Sequence, residues 1–444
     1  MLRRATLVLA VLAGVVVSAR QPFDFAQGKR DALVPGGFEG LSQRIQQSSL
    51  PLHQHTIPLD TGRVIDVTIA SAGNAGTIAR LTDTTTRAIR VLSAWLGAPT
   101  DSKLTVVDLP WGVDAPAASY PGLVATRVRW IEPARDVTAE RSLIAALARQ
   151  FWAAEGTDGT DVTAGDGSFR EALTLYTSAR AIHRVLEGRN FHAPRFFSGF
   201  VPFPMGSLML SPNQSGAGVP LGEFDEMLLP EQAAWRFAPV AHGSQARRAA
   251  GALRTLEHVI GWPAMQQVLW EARVRAATSP ISPETLATVV EEQRGISMEW
   301  FVRDLVRSSD AIDYAVGSVT SEQDEGAVRT TVRVDRRGRG MFSGTDRPRS
   351  DGPARSFAIV VRFADGTEVR AGADGRDPQT QIAIDSQSQA VVVAVDPDHV
   401  VLIDENRSNN VWSAAAPRNR LALRLVANWI LWLQNVMLTS TAIA

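Results

Sequence analysis

The stretch Leu143-Ile144-Ala145-Ala146-Leu147-Ala148-Arg149-Gln150-Phe151-Trp152 decides how this chain is read. Its pattern is helical, and Thr138 can cap a helix that runs through Phe151 and Trp152. A Gly/Asp-rich loop, 156–167, follows it. Ser168-Phe169-Arg170-Glu171 then reads as a capping box that opens a second helix. The helical pattern continues to about residue 308. Residues 244–260 form an amphipathic run stopped by Gly261-Trp262-Pro263. Ser282-Pro283-Glu284 starts another helix with proline at its first position, and Ser297 opens a short one carrying Trp300 and Phe301.

Toward the N-terminus the period changes. Arg63–Ile69 alternates as a strand after the turn Asp60-Thr61-Gly62. A helix is expected over about 76–96, with Ile78, Leu81, Ile89, Leu92 and Trp95 on its apolar face, and a buried strand over Leu104–Leu109 ends at Pro110. Toward the C-terminus the helical period gives way to a period of two around Tyr314. Val328–Val334, Phe357–Phe363 and Ala390–Val395 read as strands separated by turns such as Ala364-Asp365-Gly366, which predicts a compact β-sandwich. The last apolar segment, 421–438, is interrupted by Arg424, Asn428, Gln434 and Asn435. It reads as a docked or interfacial helix, and so as a candidate for peripheral membrane contact.

Composition narrows the function classes. The chain has 444 residues, enough for two or three domains at roughly 150 residues each. Lys and Arg total 45 against 46 Asp and Glu, so no nucleic-acid partner is expected. The absence of cysteine excludes disulfides, thiolate metal sites and cysteine nucleophiles. Lys29 and Lys103 are the only lysines, and neither follows a phosphate-binding glycine loop. There is no G-x-S-x-G elbow and no G-x-G-x-x-G after a strand. Arg3-Arg4, the apolar run Leu7–Val17 and the small residues Val17-Ser18-Ala19 read as a signal peptide. The mature protein is therefore expected to be secreted or periplasmic, with an uncleaved N-terminal membrane anchor as the alternative. His53 and His55 have the spacing of one strand face, but two histidines without a third partner read as edge residues.

In the order of its elements from about 103 to 412, the chain resembles the aminopeptidase N-like family of zinc metallopeptidases, a branch of the gluzincins. The runs that carry this are Leu109-Pro110-Trp111-Gly112, Ala118–Leu123, Phe169–Tyr176, Arg248–Gly261, Phe301–Leu305 with Asp313-Tyr314, Asp396-Pro397-Asp398, and Asp404-Glu405-Asn406 with Asn409-Asn410. The resemblance implies an α+β multidomain fold. A mostly helical, thermolysin-like lobe with a small β-sheet is followed by an immunoglobulin-like β-sandwich and a C-terminal helix. The expected layout is a signal peptide at 1–19, a poorly structured arm at 20–50, a peptidase-like domain at 51–312, the sandwich at 313–412 and a helix or tail at 413–444.

That family's chemistry needs HExxH on one helix: two histidines one turn apart bind zinc and the glutamate between them activates water. Here the motif positions fall on Ala145, Ala146 and Arg149. Alanine has no ligand atom, and a guanidinium stays protonated and repels a cation. Glu171 survives as a vestigial third ligand, or as the last residue of the capping box. Arg149 either neutralises Glu171 in the vacated metal position or binds an anionic ligand, and an ion pair between the two is expected. Ser119 stands where the family places a glutamate that recognises a substrate amino terminus. The family's oxyanion-stabilising tyrosine falls near Ala246, with His242 one turn earlier. The resemblance thus predicts no metal and no catalytic residues. It predicts a binding cleft formed by Ser119, Tyr120, Arg149, Glu171, Tyr176 and His242. The function expected is an exported pseudopeptidase that binds a peptide, protein or envelope component and needs no cofactor. One alternative is an active zinc aminopeptidase with displaced ligands. The other is a structural envelope subunit or a decaying gene product.

Overall fold

The computed structural model describes residues 50–108, 118–126, 138–152, 166–186, 245–276, 281–324, 326–343, 357–373 and 375–414. The expectations for 1–19, 20–49, 109–112, His242 and 421–438 fall outside these residues.

β1 (Leu52–Pro58) and β2 (Val64–Ala70) form an antiparallel hairpin whose turn places Gly62 at φ 78°, a conformation that costs glycine little. The alternation of β2 is the expected one: Ile65, Val67 and Ile69 face the core while Val64 and Asp66 are exposed. α1 (Ala75–Leu96) starts at Asn74, whose side chain accepts the Thr77 N–H at 2.9 Å. Leu81, Ile89 and Leu92 are buried, and the half-buried Trp95 meets Trp262 edge-on at 5.0 Å. This helix is the crossover that a parallel connection requires, and it delivers β3 (Lys103–Asp108) alongside β2. β4 (Ala118–Tyr120) and β5 (Leu123–Thr126) complete a mixed sheet of order β1-β2-β3-β5-β4 in which only β2, β3 and β5 run parallel.

Helices α2 (Thr138–Trp152), α3 (Asp166–Val185), α4 (Gln245–Ile260), α5 (Trp262–Ala276) and α6 (Pro283–Arg294), with a π-helix at Phe301–Arg307, build the lobe around that sheet. α2 lies against α1, the β4–β5 hairpin and α3. Its Leu143, Ile144, Leu147 and Phe151 are buried, each contributing roughly 1.5–3 kcal/mol of apolar transfer. Arg80 of α1 clamps Glu140 in the first turn of α2 through both carboxylate oxygens, where negative charge also suits the helix dipole. Arg273 of α5 donates to the Leu96 carbonyl at 2.8 Å and to the Phe151 carbonyl at 2.9 Å, so one guanidinium satisfies the ends of two helices. Burial pulls the pKa of Arg273 downward. α6 has the start expected of it: Ser282 accepts the Thr285 N–H, Pro283 sits in the first turn, and Gly295 ends the helix in the left-handed region.

Among the described residues the second half is mainly strand, with a short 3-10 turn at Arg407–Asn409. β6 (Tyr314–Asp324), β7 (Ala327–Arg336), β8 (Phe357–Phe363), β9 (Glu368–Ala373), β10 (Gln379–Ser386), β11 (Ala390–Val395) and β12 (Val411–Ser413) form two antiparallel sheets. Their orders are β10-β7-β6 and β12-β11-β8-β9, and they touch where β6 and β7 meet β11. The protein is therefore α+β, a mixed sheet with helices followed by antiparallel sheets.

The two halves are joined by several independent links. Ile312 pairs with Asp404, the Glu405 N–H reaches the Ile312 carbonyl at 2.9 Å, and the Tyr314 N–H donates to the Asp404 carboxylate at 3.2 Å. On the lobe side Arg248 of α4 holds the exit segment, donating to the Leu305 carbonyl at 3.0 Å and the Asp310 carbonyl at 2.8 Å. Beside it Gly251 lies so close to Ile403 that a Cβ there would stand 2.6 Å from the isoleucine Cγ2.

Candidate functional site

α2 and α3 pack side by side, and this brings Arg149 and Glu171 face to face. Arg149 Nη2 lies 2.8 Å from Glu171 Oε1 and 3.1 Å from Oε2. Both side chains are partly open to solvent, at 36% and 26% exposure. The expected ion pair is present, with the arginine in the last turn of α2 and the glutamate in the first turns of α3. One expectation needs correcting here. α3 begins at Asp166, before Ser168, so Ser168 and Glu171 do not form the box that caps it. The Glu171 carboxylate goes to Arg149 instead, because the packed neighbour supplies a charged donor.

Ser119 and Tyr120 stand beside the same helix. The Ser119 hydroxyl donates to the Ala146 carbonyl at 2.9 Å. Gln150 amide nitrogen donates to Ser119 Oγ and to the Tyr120 carbonyl, and its oxygen accepts the Gly122 N–H at 3.0 Å. These bonds stitch the β4–β5 hairpin to α2 and use up the polar groups of Ser119. Tyr120 is buried to 9% exposure, and burial pushes its phenol pKa up.

Tyr176 takes a different place from the cleft-lining one expected. It is fully buried between α3 and α4, its hydroxyl donating to Glu257 Oε2 at 2.5 Å. Glu257, itself 4% exposed at the side chain, also pairs with Arg180 of α3 and with Arg254 at 2.7 Å. The Arg180 guanidinium stacks 4.2 Å over the Trp262 ring. Tyr176 follows Glu171 by five residues, whereas neighbours on one helix face are three or four apart, so it points away from Glu171. Sequence reasoning missed Gln150 and Glu257. The one available signal was a glutamate on the otherwise apolar side of the 244–260 run.

His55 Nε2 lies 3.2 Å from the Thr86 hydroxyl, and both His53 and His55 sit on the edge strand β1. Among the described residues no group of three or more His, Asp or Glu side chains converges as a metal-binding set. Of the positions the resemblance marks, Ala145 and Arg149 stand where the two histidine ligands are expected and Ala146 where the base is expected. With a guanidinium already on the one carboxylate, this donor set does not fit the ion.

No protein-family model matches the chain, and no curated protein matches it. Among solved structures it is similar to aminopeptidase A from Legionella pneumophila in complex with aspartic acid, with a TM-score of 0.48 and 9% identity over 78% of this chain and 37% of that one. It is similar to an M1 zinc metallopeptidase from Deinococcus radiodurans, with a TM-score of 0.36 and 23% identity over 58% of this chain and 52% of that one. A mutant M1 zinc metallopeptidase from Deinococcus radiodurans bound to a Tyr-Ser-Ala substrate gives a TM-score of 0.35 and 24% identity over the same 58% and 52%. The chain spans about half or less of the length of these structures. The similarity to M1 zinc aminopeptidases is one of structure at low sequence identity.

Proposed function

We propose that this chain is an exported, catalytically inactive aminopeptidase-like protein that acts by binding a peptide, a protein or an envelope component around Arg149 and Glu171. One observation carries the reading: the carboxylate left in the family's ligand position is held by an arginine in place of an ion. Arginine keeps its proton at all working pH values, so its guanidinium gives the carboxylate the positive partner that a metal would bring without any capacity to activate water. Ala146 in the place of the base removes the group that would take the water's proton. In this reading the two antiparallel sheets form an immunoglobulin-like sandwich, and residues 1–19 direct export.

Elemental analysis of purified protein, combined with an aminopeptidase assay on a panel of aminoacyl fluorogenic substrates, tests the proposal. The expected result is less than a tenth of a zinc per chain, by the order-of-magnitude standard of a site lacking its ligands, and no turnover after zinc is added. One zinc per chain, lost in Glu171→Ala together with measurable turnover, would establish the active enzyme with displaced ligands instead.

A further inference from the structure

Arginine carries five N–H donors on a planar fork. Arg149 commits a single nitrogen, Nη2, to Glu171. Among the described residues its Nε and Nη1 have no hydrogen-bond partner. The stem of the side chain rises from a helix packed on both sides, and the glutamate fixes the guanidinium from α3, so the open edge is held in place rather than free to sweep through solvent. The neighbouring polar groups are occupied within the protein: Ser119 donates to the Ala146 carbonyl, and Gln150 is taken up by Ser119, Tyr120 and Gly122. One turn before Arg149 stands Ala145, a half-buried residue whose small side chain leaves the guanidinium uncrowded along the same helix face.

We infer that the open edge of Arg149 receives a carboxylate of the bound ligand, so that one guanidinium bridges the ligand and Glu171. This rests on the reading of the region as a binding site and adds the class of group it recognises. A guanidinium fork matches a carboxylate in plane and spacing. Glu171 has already balanced the arginine, so the open edge recognises the ligand through the directions of its donors more than through net charge. Both a peptide C-terminus and an acidic side chain offer this chemistry.

The test is affinity selection on the full-length protein from a randomised synthetic hexapeptide library lacking Asp and Glu, read by mass spectrometry. The library is made in three forms: free C-terminal acid, C-terminal amide, and amide with one fixed glutamate. Wild-type protein is expected to retain one of the two carboxylate forms roughly tenfold over the plain amide, the worth of a charge-assisted hydrogen bond. Which form is retained identifies the source. Arg149→Gln should erase the preference, and Glu171→Gln should strengthen it by removing the competing carboxylate. Arg149→Lys, which keeps the charge but not the fork, should retain part of it. That variant decides the matter if Arg149→Gln does not fold. Equal retention of all three forms would overturn the carboxylate contact while leaving peptide binding intact. Retention of no form would overturn the peptide-binding reading and the inference with it.

Discussion

α3 carries two ion pairs on opposite sides, and they differ in what holds them. Arg149–Glu171 is partly open to water, so its Coulomb gain is screened. Arg149→Ala should therefore cost about 1 kcal/mol or less in urea unfolding. Glu257 is buried and receives Tyr176, Arg180 and Arg254. Removing it strands two guanidinium groups inside the α3–α4 contact. Glu257→Ala should cost about 3–5 kcal/mol by the same measurement, and Tyr176→Phe about 1 kcal/mol. A Glu257→Ala loss no larger than that of Arg149→Ala would refute this ranking. The first pair was legible in the sequence because Glu171 falls in a recognisable run of the resembled family and Arg149 at the motif position laid against it. The second was not, since a lone glutamate among Arg248, Arg254 and His258 gives no sign of which neighbouring helix will cover it.

Elements obey more local rules, and most of them could be read from residue type alone. Asn74, Ser282 and Gly295 cap helices through their own backbone and side-chain chemistry, and the alternation of Arg63–Ile69 fixes which face of β2 is buried. The partners of strands are another matter. β10 alternates exposed and half-buried residues with Gln379, Gln381 and Ala383 outward, a weak pattern that does not stand out without β7 beside it. Close approach between elements is equally invisible until they pack, as at Gly251. Alanine there would gain up to about 1 kcal/mol of helix propensity, yet its Cβ would overlap Ile403 and cost roughly 1–3 kcal/mol. Net destabilisation is expected for Gly251→Ala, with the loss recovered in part when Ile403→Ala is added. A double-mutant cycle with no coupling between the two sites would show that this contact does not join the halves.

At the scale of the whole molecule, the link between the lobe and the strands has a pH dependence of its own. Asp404 is buried where Ile312 and Tyr314 enter the β half, and burial pushes its pKa up to about 7, against the pull of donors from Asn406, Asn410 and Tyr314 and the charge of Arg407. Nearby Asp396 is raised by burial too. A carboxyl group raised in the folded state binds more protons folded than unfolded. Its stabilisation is complete below about pH 4 and is lost as pH climbs to about 7. Thermal melts across that range should fall with rising pH, and Asp404→Asn should flatten the slope. A slope unchanged in Asp404→Asn would remove Asp404 as its source. Zinc titration of wild-type protein beside the double variant Ala145→His/Arg149→His asks whether α2 and α3 hold the geometry of a metal site without its ligands. Two histidines one turn apart, facing Glu171, make the three-ligand set of a zinc site. The expected result is no saturable zinc binding by the wild type and one zinc per chain in the double variant, abolished when Glu171→Gln is added. One tightly held zinc in the wild type, or none in a folded double variant, would contradict it.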